Sequence, residues 1–331
     1  MSNNSNSPTI GAVVIGRNEG QRLIRCLEPL NHQVHVVYVD SGSTDGSVVA
    51  AKALGATVVE LDMQQPFTAA RARNAGVQRL LELHPQTQLI QFVDGDCEIV
   101  DGWLHRASEF LTEHPEYAIV CGRRRERYPS DSLYNQLCDI EWDTPVGDAL
   151  ACGGDALIRV SALKQVAGYR DSMIAGEEPE MCYRLRHAGW KIFRLDAEMT
   201  LHDAAMTRFD QWWKRNKRAG HAYAESLQLH HLGKEKFRLR EVASIILWAM
   251  ILPLFIVLMV LMFSAYALLL LVIYPLQVIR LSMSYRVKLT GKNAFIYASS
   301  NVIGKFAQLS GVMSFYYRRI FNKSKKIIEY K

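Results

Sequence analysis

The chain has 331 residues, of which 49% are hydrophobic and 22% are charged. Both fractions are close to globular averages, so they exclude a disordered, collagen-like or disulfide-scaffold protein. The net charge of +6 is unevenly distributed: residues 280–331 hold 11 Lys and Arg and one acid, whereas the first 279 residues hold 28 basic and 32 acidic side chains. A mildly acidic body with a basic C-terminal tail favours an anionic membrane surface or nucleic acid as a partner.

The six cysteines form no CxxC pair, which argues against a zinc ribbon or a dithiol redox motif. The polar segment 1–7 has no signal-peptide pattern, and we expect it to be disordered. Scattered cysteines without such a signal fit a reducing compartment, so the catalytic body is expected in the cytosol.

The first hundred residues alternate between strand and helix patterns. This alternation predicts an α/β fold, a parallel sheet covered by helices on both faces, with ligands bound past the carboxyl ends of the strands. No GxGxxG or P-loop motif follows a strand, which argues against a dinucleotide oxidoreductase and a P-loop ATPase. Strands are predicted at Ile10–Ile15, Val34–Val39, Thr57–Leu61 and Leu89–Val93, and helices at Gln21–Leu30, Thr44–Leu54 and Ala69–Leu83.

Acidic residues follow two of these strands. Asp40 ends the second strand, where its carboxylate can accept from a nucleotide base or a ribose hydroxyl; helix capping is the alternative, as it is for Ser43 and Asp45. Asp94 and Asp96 follow the fourth strand with one glycine between them, and we expect both to point into the crevice. Mg²⁺ and Mn²⁺ prefer carboxylate and diphosphate oxygens, although surface loops also contain Asp-x-Asp.

Five ordered motifs lie between residues 8 and 220: Val14-Ile15-Gly16-Arg17-Asn18-Glu19, residues 39–47, Ala72-Arg73-Asn74-Ala75-Gly76, Asp94-Gly95-Asp96, and the pair of segments 153–159 and 176–190. Together they resemble the motifs of the family 2 glycosyltransferases. That resemblance implies the GT-A fold, a Rossmann-like mixed sheet with helices on both faces, over residues 8–235, with a nucleotide-sugar-binding half at 8–100 and an acceptor half at 101–235.

The resemblance implies a nucleotide-sugar donor, with UDP-sugars favoured, and Mn²⁺ or Mg²⁺ as cofactor. It implies that Asp40 reads the base, that Asp94 approaches the ribose, and that Asp96 binds the metal on the diphosphate. His202 follows a short predicted strand, Ile192–Leu195, and the loop after it. Asp94 and His202 are further candidate metal ligands, although a lone histidine is often structural. The other donor-binding candidates are Gly16, Arg17, Asn18, Glu19, Ser43, Arg73, Asn74 and Gly95.

Glu177 and Glu178 open a predicted helix that ends at Gly189. Acids in a first turn are favoured by the helix dipole. The functional interpretation is that Glu178 is the general base that takes the proton of an acceptor hydroxyl. The family has Glu-Asp at this place, so the base here is one methylene longer. Acceptor-side or diphosphate-binding candidates are Gly154, Asp155, Glu177, Trp212, Arg215 and Arg218, of which the last three would equally suit a solvated amphipathic helix.

An uncharged, apolar stretch runs from Val242 to Ile279. One helix of that length would measure roughly 57 Å, which is too long for a single crossing, so two helices turning near residues 263–265 fit better. Basic flanks predict both ends in the cytosol. A soluble hairpin, one tilted crossing and a re-entrant path kinked at Pro253 and Pro275 are the alternatives. We therefore expect a membrane-associated helical region at 236–331, with an apolar hairpin at 242–279, an interfacial helix and a basic tail on anionic lipid rather than nucleic acid.

Together these features predict a metal-dependent, inverting glycosyltransferase at the cytosolic face of the inner membrane, where it moves one sugar to a lipid or lipid-linked saccharide. Processive synthases of the family carry Gln-x-x-Arg-Trp, which the segment 211–216 does not match, and this favours a single transfer in polysaccharide or glycolipid synthesis. The alternatives are transfer to a polyprenyl phosphate, a non-catalytic nucleotide-sugar-binding membrane scaffold, and nucleic-acid binding by the tail.

Overall fold

A computed structural model describes residues 8–233 and 235–322. The chain divides into two compact units, Met1–Thr207 and Arg208–Lys331. The first unit thus ends at Thr207, whereas the sequence pattern places the start of the membrane region at residue 236. The expectations for segment 1–7 and for the end of the basic tail, residues 323–331, lie outside the described residues.

The first unit is built from strands and helices that alternate along the chain. The described strands are β1 Ile10–Gly16, β2 His35–Asp40, β3 Thr57–Glu60, β4 Leu89–Asp94, β5 Cys97–Ile99, β6 Tyr117–Glu126, β7 Gly147–Asp148, β8 Ala156–Arg159 and β9 Lys191–His202. The described helices are α1 Gln21–Asn31, α2 Ser47–Ala53, α3 Ala69–Leu83, α4 Trp103–Glu113, α5 Leu133–Glu141, α6 Val160–Gln165 and α7 Glu177–His187.

These strands form one mixed sheet in the order β3-β2-β1-β4-β8-β6-β9-β5, and β7 pairs with β9. Neighbours from β3 to β4 run parallel, as predicted, whereas β8 lies antiparallel between β4 and β6. The register pairs Gly16 with Asp40 and Ile15 with Asp94. The polar residues that follow β1, β2 and β4 are therefore brought to the same edge of the sheet.

Close packing of α3 against the sheet places another polar side chain at this edge. A Cβ at Gly76 would lie 2.4 Å from Cγ1 of Val13, so only glycine lets the helix approach β1 this closely. Arg73 lies one turn earlier on the same helix and is buried. The apolar strands beneath it are buried on both faces, which is why they read as nearly continuous hydrophobic runs.

Two predicted boundaries, the start of a helix and the end of a strand, were wrong because of hydrogen bonds that the sequence pattern does not show. Helix α2 begins at Ser47 rather than Thr44, because Asn18 Oδ1 accepts from the Thr44 N–H and Asp45 Oδ1 accepts from the Ser47 N–H. Strand β9 continues to His202 instead of ending at Leu195, because its second half pairs with β5 and with the end of β6 across register shifts. His202 is thus a strand residue and not part of a loop.

The second unit is helical. Its described elements are α8 Phe209–His230, α9 Leu239–Ile246, a π-helical turn Leu247–Ile251, α10 Leu252–Met262, a 3₁₀ segment Ala265–Val272, α11 Ile273–Tyr285 and α12 Gly291–Ile320. Two continuous helices, Leu239–Met262 and Ala265–Tyr285, are long and apolar enough to cross a membrane, with mean hydropathies of 3.0 and 1.7. The break between them falls at residues 263–264, as the two-helix prediction expected.

Candidate active site

The centre of the polar edge is an ion-pair cluster around Asp94. Its Oδ1 accepts from Nη2 of Arg73 at 2.9 Å, and its Oδ2 accepts from Nη2 of Arg124 at 2.8 Å. Burial alone would raise the pKa of Asp94, but the two guanidinium groups outweigh it and hold that pKa well below the usual range. Asp94 is therefore a carboxylate with both oxygens already paired.

Asp96 faces a different set of partners. Its Oδ2 lies 3.3 Å from Nε2 of His202, and the thiol of Cys97 donates to its Oδ1 at 3.6 Å. Asp94 and Asp96 thus have different partners, and the expectation that both point into one crevice stays a prediction.

Asp96 and His202 fit a divalent cation. Burial and the nearby Arg124 lower the pKa of His202, so the imidazole is neutral and keeps a lone pair for a ligand. Burial raises the pKa of the Cys97 thiol, although Arg124 opposes this, so the sulfur stays protonated and is a weak ligand beside them. One carboxylate and one imidazole, with diphosphate oxygens to complete the shell, suit Mn²⁺ and Mg²⁺.

A second cluster of possible ligands is less suited to a metal. Donor atoms of Asp94, Cys97 and Asp155 lie within 4.8 Å of one another. Arg124 already contacts all three, with Nη2 at 2.8 Å from Asp94 and 2.9 Å from Cys97, and Nε at 3.2 Å from Asp155. A guanidinium in that position supplies the positive charge that a cation would otherwise bring.

The predicted base lies next to the same cluster. Nη1 of Arg73 is 2.8 Å from Oε1 of Glu177 and 3.1 Å from Oε1 of Glu178. The Glu177 side chain is 4% exposed, and that of Glu178 is 15% exposed. Burial and the charge of Glu177 raise the pKa of Glu178 to about 7, against the opposing effect of Arg73. Glu178 is therefore largely buried but not fully enclosed, and it has a pKa suited to proton transfer near neutrality.

The donor-side candidates tie two loops together. The Asn18 N–H donates to Oγ of Ser43, and Asn18 has a positive φ of 56°. The buried Asp40 accepts from the Tyr38 hydroxyl at 2.9 Å and from the N–H groups of Gly42 and Ser43. These bonds shape the loop after β2.

Gly16, Glu19 and Gly95 pack closely against one another at the same edge of the sheet. Glu19 pairs with Arg22 at 2.8 Å, and its Cγ would lie 3.1 Å from a Cβ at Gly16 and 3.2 Å from one at Gly95. Arg17 lies over the ring of Phe67. The tight turn after β1 thus depends on small residues.

Two other candidates, Asn74 and Asp155, make hydrogen bonds to neighbouring segments of the protein. Asn74 donates to the carbonyl of Tyr169 and to Oδ1 of Asp171, and accepts from the Tyr169 N–H. Asp155 accepts from the Asp94 N–H at 3.0 Å and from the Thr200 hydroxyl at 2.7 Å, with its side chain fully buried. In this structure, both hold neighbouring segments in place.

Gly154 and residues of α8 complete the predicted set. A Cβ at Gly154 would lie 2.6 Å from Oδ2 of Asp94, so this glycine makes room for the ion pair. Trp212, Arg215 and Arg218 lie on α8 in the second unit, where the Trp212 ring is buried beside Phe209. Their role in binding a diphosphate or acceptor stays a prediction.

Sequence reasoning missed Arg124, Trp142 and Glu126. Arg124 lies 5.1 Å above the Trp142 ring, and Trp142 contacts His202 edge-on at 4.6 Å. The available signal was the alternation of side chains along β6. Successive residues of a strand point to opposite faces, which sets Arg124 apart from Arg123 and Arg125. The partners come from distant strands, so the sequence pattern did not identify them.

The comparisons with known proteins agree with this fold. The glycosyl transferase family 2 model matches residues 12–166. The succinoglycan biosynthesis protein ExoA of Rhizobium meliloti (strain 1021) is 27% identical over 189 residues, which cover 53% of this chain and 55% of that protein. The chain thus matches only about half the length of this curated relative.

Two solved structures show the same architecture at low sequence identity. PcManGT, a mannosyltransferase from Pyrobaculum calidifontis solved with GDP-Man and Mn²⁺, superposes with a TM-score of 0.61 at 18% identity, over 90% of this chain and 88% of that one. TarS of S. aureus superposes with a TM-score of 0.50 at 15% identity, over 94% of this chain and 53% of that one. These likenesses, with the family match, confirm the GT-A fold that the motifs predict.

Proposed function

We propose that this chain, whose residues 12–166 match the glycosyl transferase family 2 model, moves one sugar from a nucleotide-diphosphate sugar to a hydroxyl of a lipid or lipid-linked saccharide. The observation that carries the proposal is the arrangement at one sheet edge: the Asp96–His202 pair, and Glu178 beside Arg73 and Asp94. A UDP-sugar is the donor we expect first. ExoA, named for succinoglycan biosynthesis, supports a role in polysaccharide synthesis.

Each group has a defined task in this proposal. Glu178 removes the proton of the acceptor hydroxyl as that oxygen attacks the anomeric carbon. The bond from this carbon to the diphosphate oxygen breaks, the nucleoside diphosphate leaves, and the configuration at the carbon is inverted. Arg73 keeps Glu178 in place while Glu177 pairs with the same guanidinium. Asp96 and His202 hold Mn²⁺ or Mg²⁺, which when bound offsets the charge on the leaving diphosphate.

We further propose that the two apolar helices anchor the enzyme at the cytosolic face of the inner membrane, with the acceptor drawn from the bilayer. In the highest-hydropathy windows of the two helices, only 17% and 6% of the residues are buried within the protein. Large apolar side chains such as Leu261 and Leu269 are more than two-thirds exposed, which a bilayer would cover. Basic residues flanking the helices favour anionic lipid.

A transfer assay tests this proposal. Purified protein in anionic vesicles is given UDP- and GDP-linked sugars, Mn²⁺ and a membrane lipid extract, and labelled product is recovered from the lipid phase. We expect one donor to give a glycosidic product that is stable to mild acid. An acid-labile product would instead indicate transfer to a polyprenyl phosphate, and binding without any transfer would indicate a scaffold.

A further inference from the structure

The imidazole of His202 lies between two carboxylates from different parts of the sheet. Nε2 is 3.3 Å from Oδ2 of Asp96, and Nδ1 is 3.5 Å from Oε2 of Glu126. The register of the sheet sets this arrangement, because Glu126 ends β6 and pairs directly with His202 at the end of β9. The two ring nitrogens therefore face separate acidic groups.

Glu126 is held firmly in place. Its side chain is fully buried. Oε2 accepts from the Ala204 N–H at 3.1 Å, and Oε1 accepts from the Tyr128 N–H at 3.1 Å and from Nδ2 of Asn135 at 3.4 Å. The carboxylate cannot turn away from His202 without breaking these bonds.

We propose that Glu126 is a positioning residue for the cation site. Nδ1 of His202 is buried and makes no hydrogen bond of good geometry in the structure, and Oε2 of Glu126 at 3.5 Å is the acceptor that we assign to its N–H. That bond would fix the tautomer and leave the lone pair on Nε2 for a divalent cation bound with Asp96. Histidine ligands in metal sites generally donate their second N–H to a carboxylate or carbonyl, which orients the ring and raises its basicity. The edge contact with Trp142 also restricts the ring. This inference rests on the proposed metal-dependent transfer.

A purely structural role for Glu126 makes a different prediction. In that case its bonds to Ala204, Tyr128 and Asn135 would be its whole contribution, and removing them would lower stability without changing metal affinity. The variant Asn135→Ala measures that contribution, because Asn135 donates to Glu126 and to the Tyr128 carbonyl and accepts from the Met206 N–H, and none of these bonds involves His202.

The decisive variant is Glu126→Gln. Its amide oxygen, at the Oε1 position, still accepts from the Tyr128 N–H and from Asn135. The N–H₂ then stands at the Oε2 position, where the bond from the Ala204 N–H is lost, the negative charge is gone and the opposite imidazole tautomer is favoured. The surface variant Glu198→Gln is the matched control. Glu198 lies on β9, the strand that holds His202, and it pairs with Arg125 of β6. Folding is checked by the melting temperature of each variant.

Binding of Mn²⁺ alone is followed by the loss of the free-ion electron paramagnetic resonance signal. We expect a Kd about 10–100-fold weaker for Glu126→Gln, an unchanged Kd for Glu198→Gln, and a smaller change for Asn135→Ala than for Glu126→Gln. Equal Kd values for Glu126→Gln and wild type would overturn the role of Glu126, provided that Asp96→Ala abolishes binding. A wild-type protein with no saturable Mn²⁺ site would overturn the proposed metal dependence together with this role.

Discussion

Arg73 connects two carboxylates with opposite properties. It contacts Asp94, which the pairs with Arg73 and Arg124 keep ionised, and it contacts Glu178, whose pKa is raised to about 7. Groups whose surroundings drive their pKa values apart are characteristic of acid–base sites. The sequence predicted Glu178 as the base from its position in a motif, whereas its raised pKa depends on burial and on Glu177.

Replacing the base tests this assignment. We expect Glu178→Gln to lower kcat by about 10²–10⁴-fold, because the acceptor hydroxyl loses its proton acceptor, while donor affinity changes little. In the wild type, kcat should fall as pH drops below about 7, since Glu178 then becomes protonated. Initial rates from pH 5.5 to 9 measure both effects, with Glu198→Gln as the control.

A flat pH profile in the wild type, or undiminished turnover by Glu178→Gln, would contradict the base assignment. Either result would leave the fold and the family unaffected, and would favour an acceptor such as a phosphate that needs no base.

Two neighbouring glycines provide a matched pair for the ion-pair cluster. A Cβ at Gly154 would lie 2.6 Å from Asp94 and 2.8 Å from Nη2 of Arg73, whereas a Cβ at Gly153 would meet nothing within 4 Å. We expect Gly154→Ala to cost about 1–3 kcal/mol of unfolding free energy through overpacking, and to lower kcat by separating the ion pair.

Gly153→Ala is expected to leave the unfolding free energy and kcat equal to the wild-type values within experimental error. Thermal unfolding and initial rates of the two variants check this, and equal behaviour of the pair would contradict the tight packing around Asp94.

At the scale of elements, the predictions that succeeded came from local pattern. Strands β1 to β4 and helices α1 and α3 were predicted to within one residue at nearly every boundary, because apolar runs and helical spacing are visible in a short window. The antiparallel insertion of β8 and the length of β9 were not predicted. Both depend on pairing between residues far apart in sequence.

Helix α12 packs on α8 at a backbone-to-backbone crossing. A Cβ at Gly311 would lie 2.0 Å from the carbonyl oxygen of Lys217, and one at Gly220 would lie 2.0 Å from that of Gln308. We expect Gly311→Ala to lower the unfolding free energy by about 1–3 kcal/mol, because backbone atoms cannot yield as side chains do.

Gly291→Ala is the control, since a Cβ there meets nothing closer than 3.7 Å. It should be neutral or slightly stabilising, because Gly291 is the first residue of α12 and alanine reduces the conformational freedom of the unfolded chain. Melting temperatures in detergent compare the two, and an unchanged value for Gly311→Ala would contradict the close crossing.

At the scale of the whole molecule, composition predicted a catalytic body followed by a membrane region, and the structure has an α/β unit followed by a helical unit. Charge and hydropathy are summed over many residues, so a prediction based on them does not depend on the exact bounds of any one helix or strand. The partners of each acid in the site were beyond such reasoning, because Asp94 and Asp96 are only two residues apart yet belong to different clusters.

The central claim is that sugar transfer depends on a cation held at Asp96. The most direct test measures release of nucleoside diphosphate from the preferred donor by vesicle-bound protein, with Mn²⁺ or with a chelator, for wild type and Asp96→Ala. We predict release only by the wild type with Mn²⁺, and at least a 100-fold loss in the other three cases, about 2.7 kcal/mol of transition-state stabilisation. Equal release by Asp96→Ala or in the presence of the chelator would contradict the account.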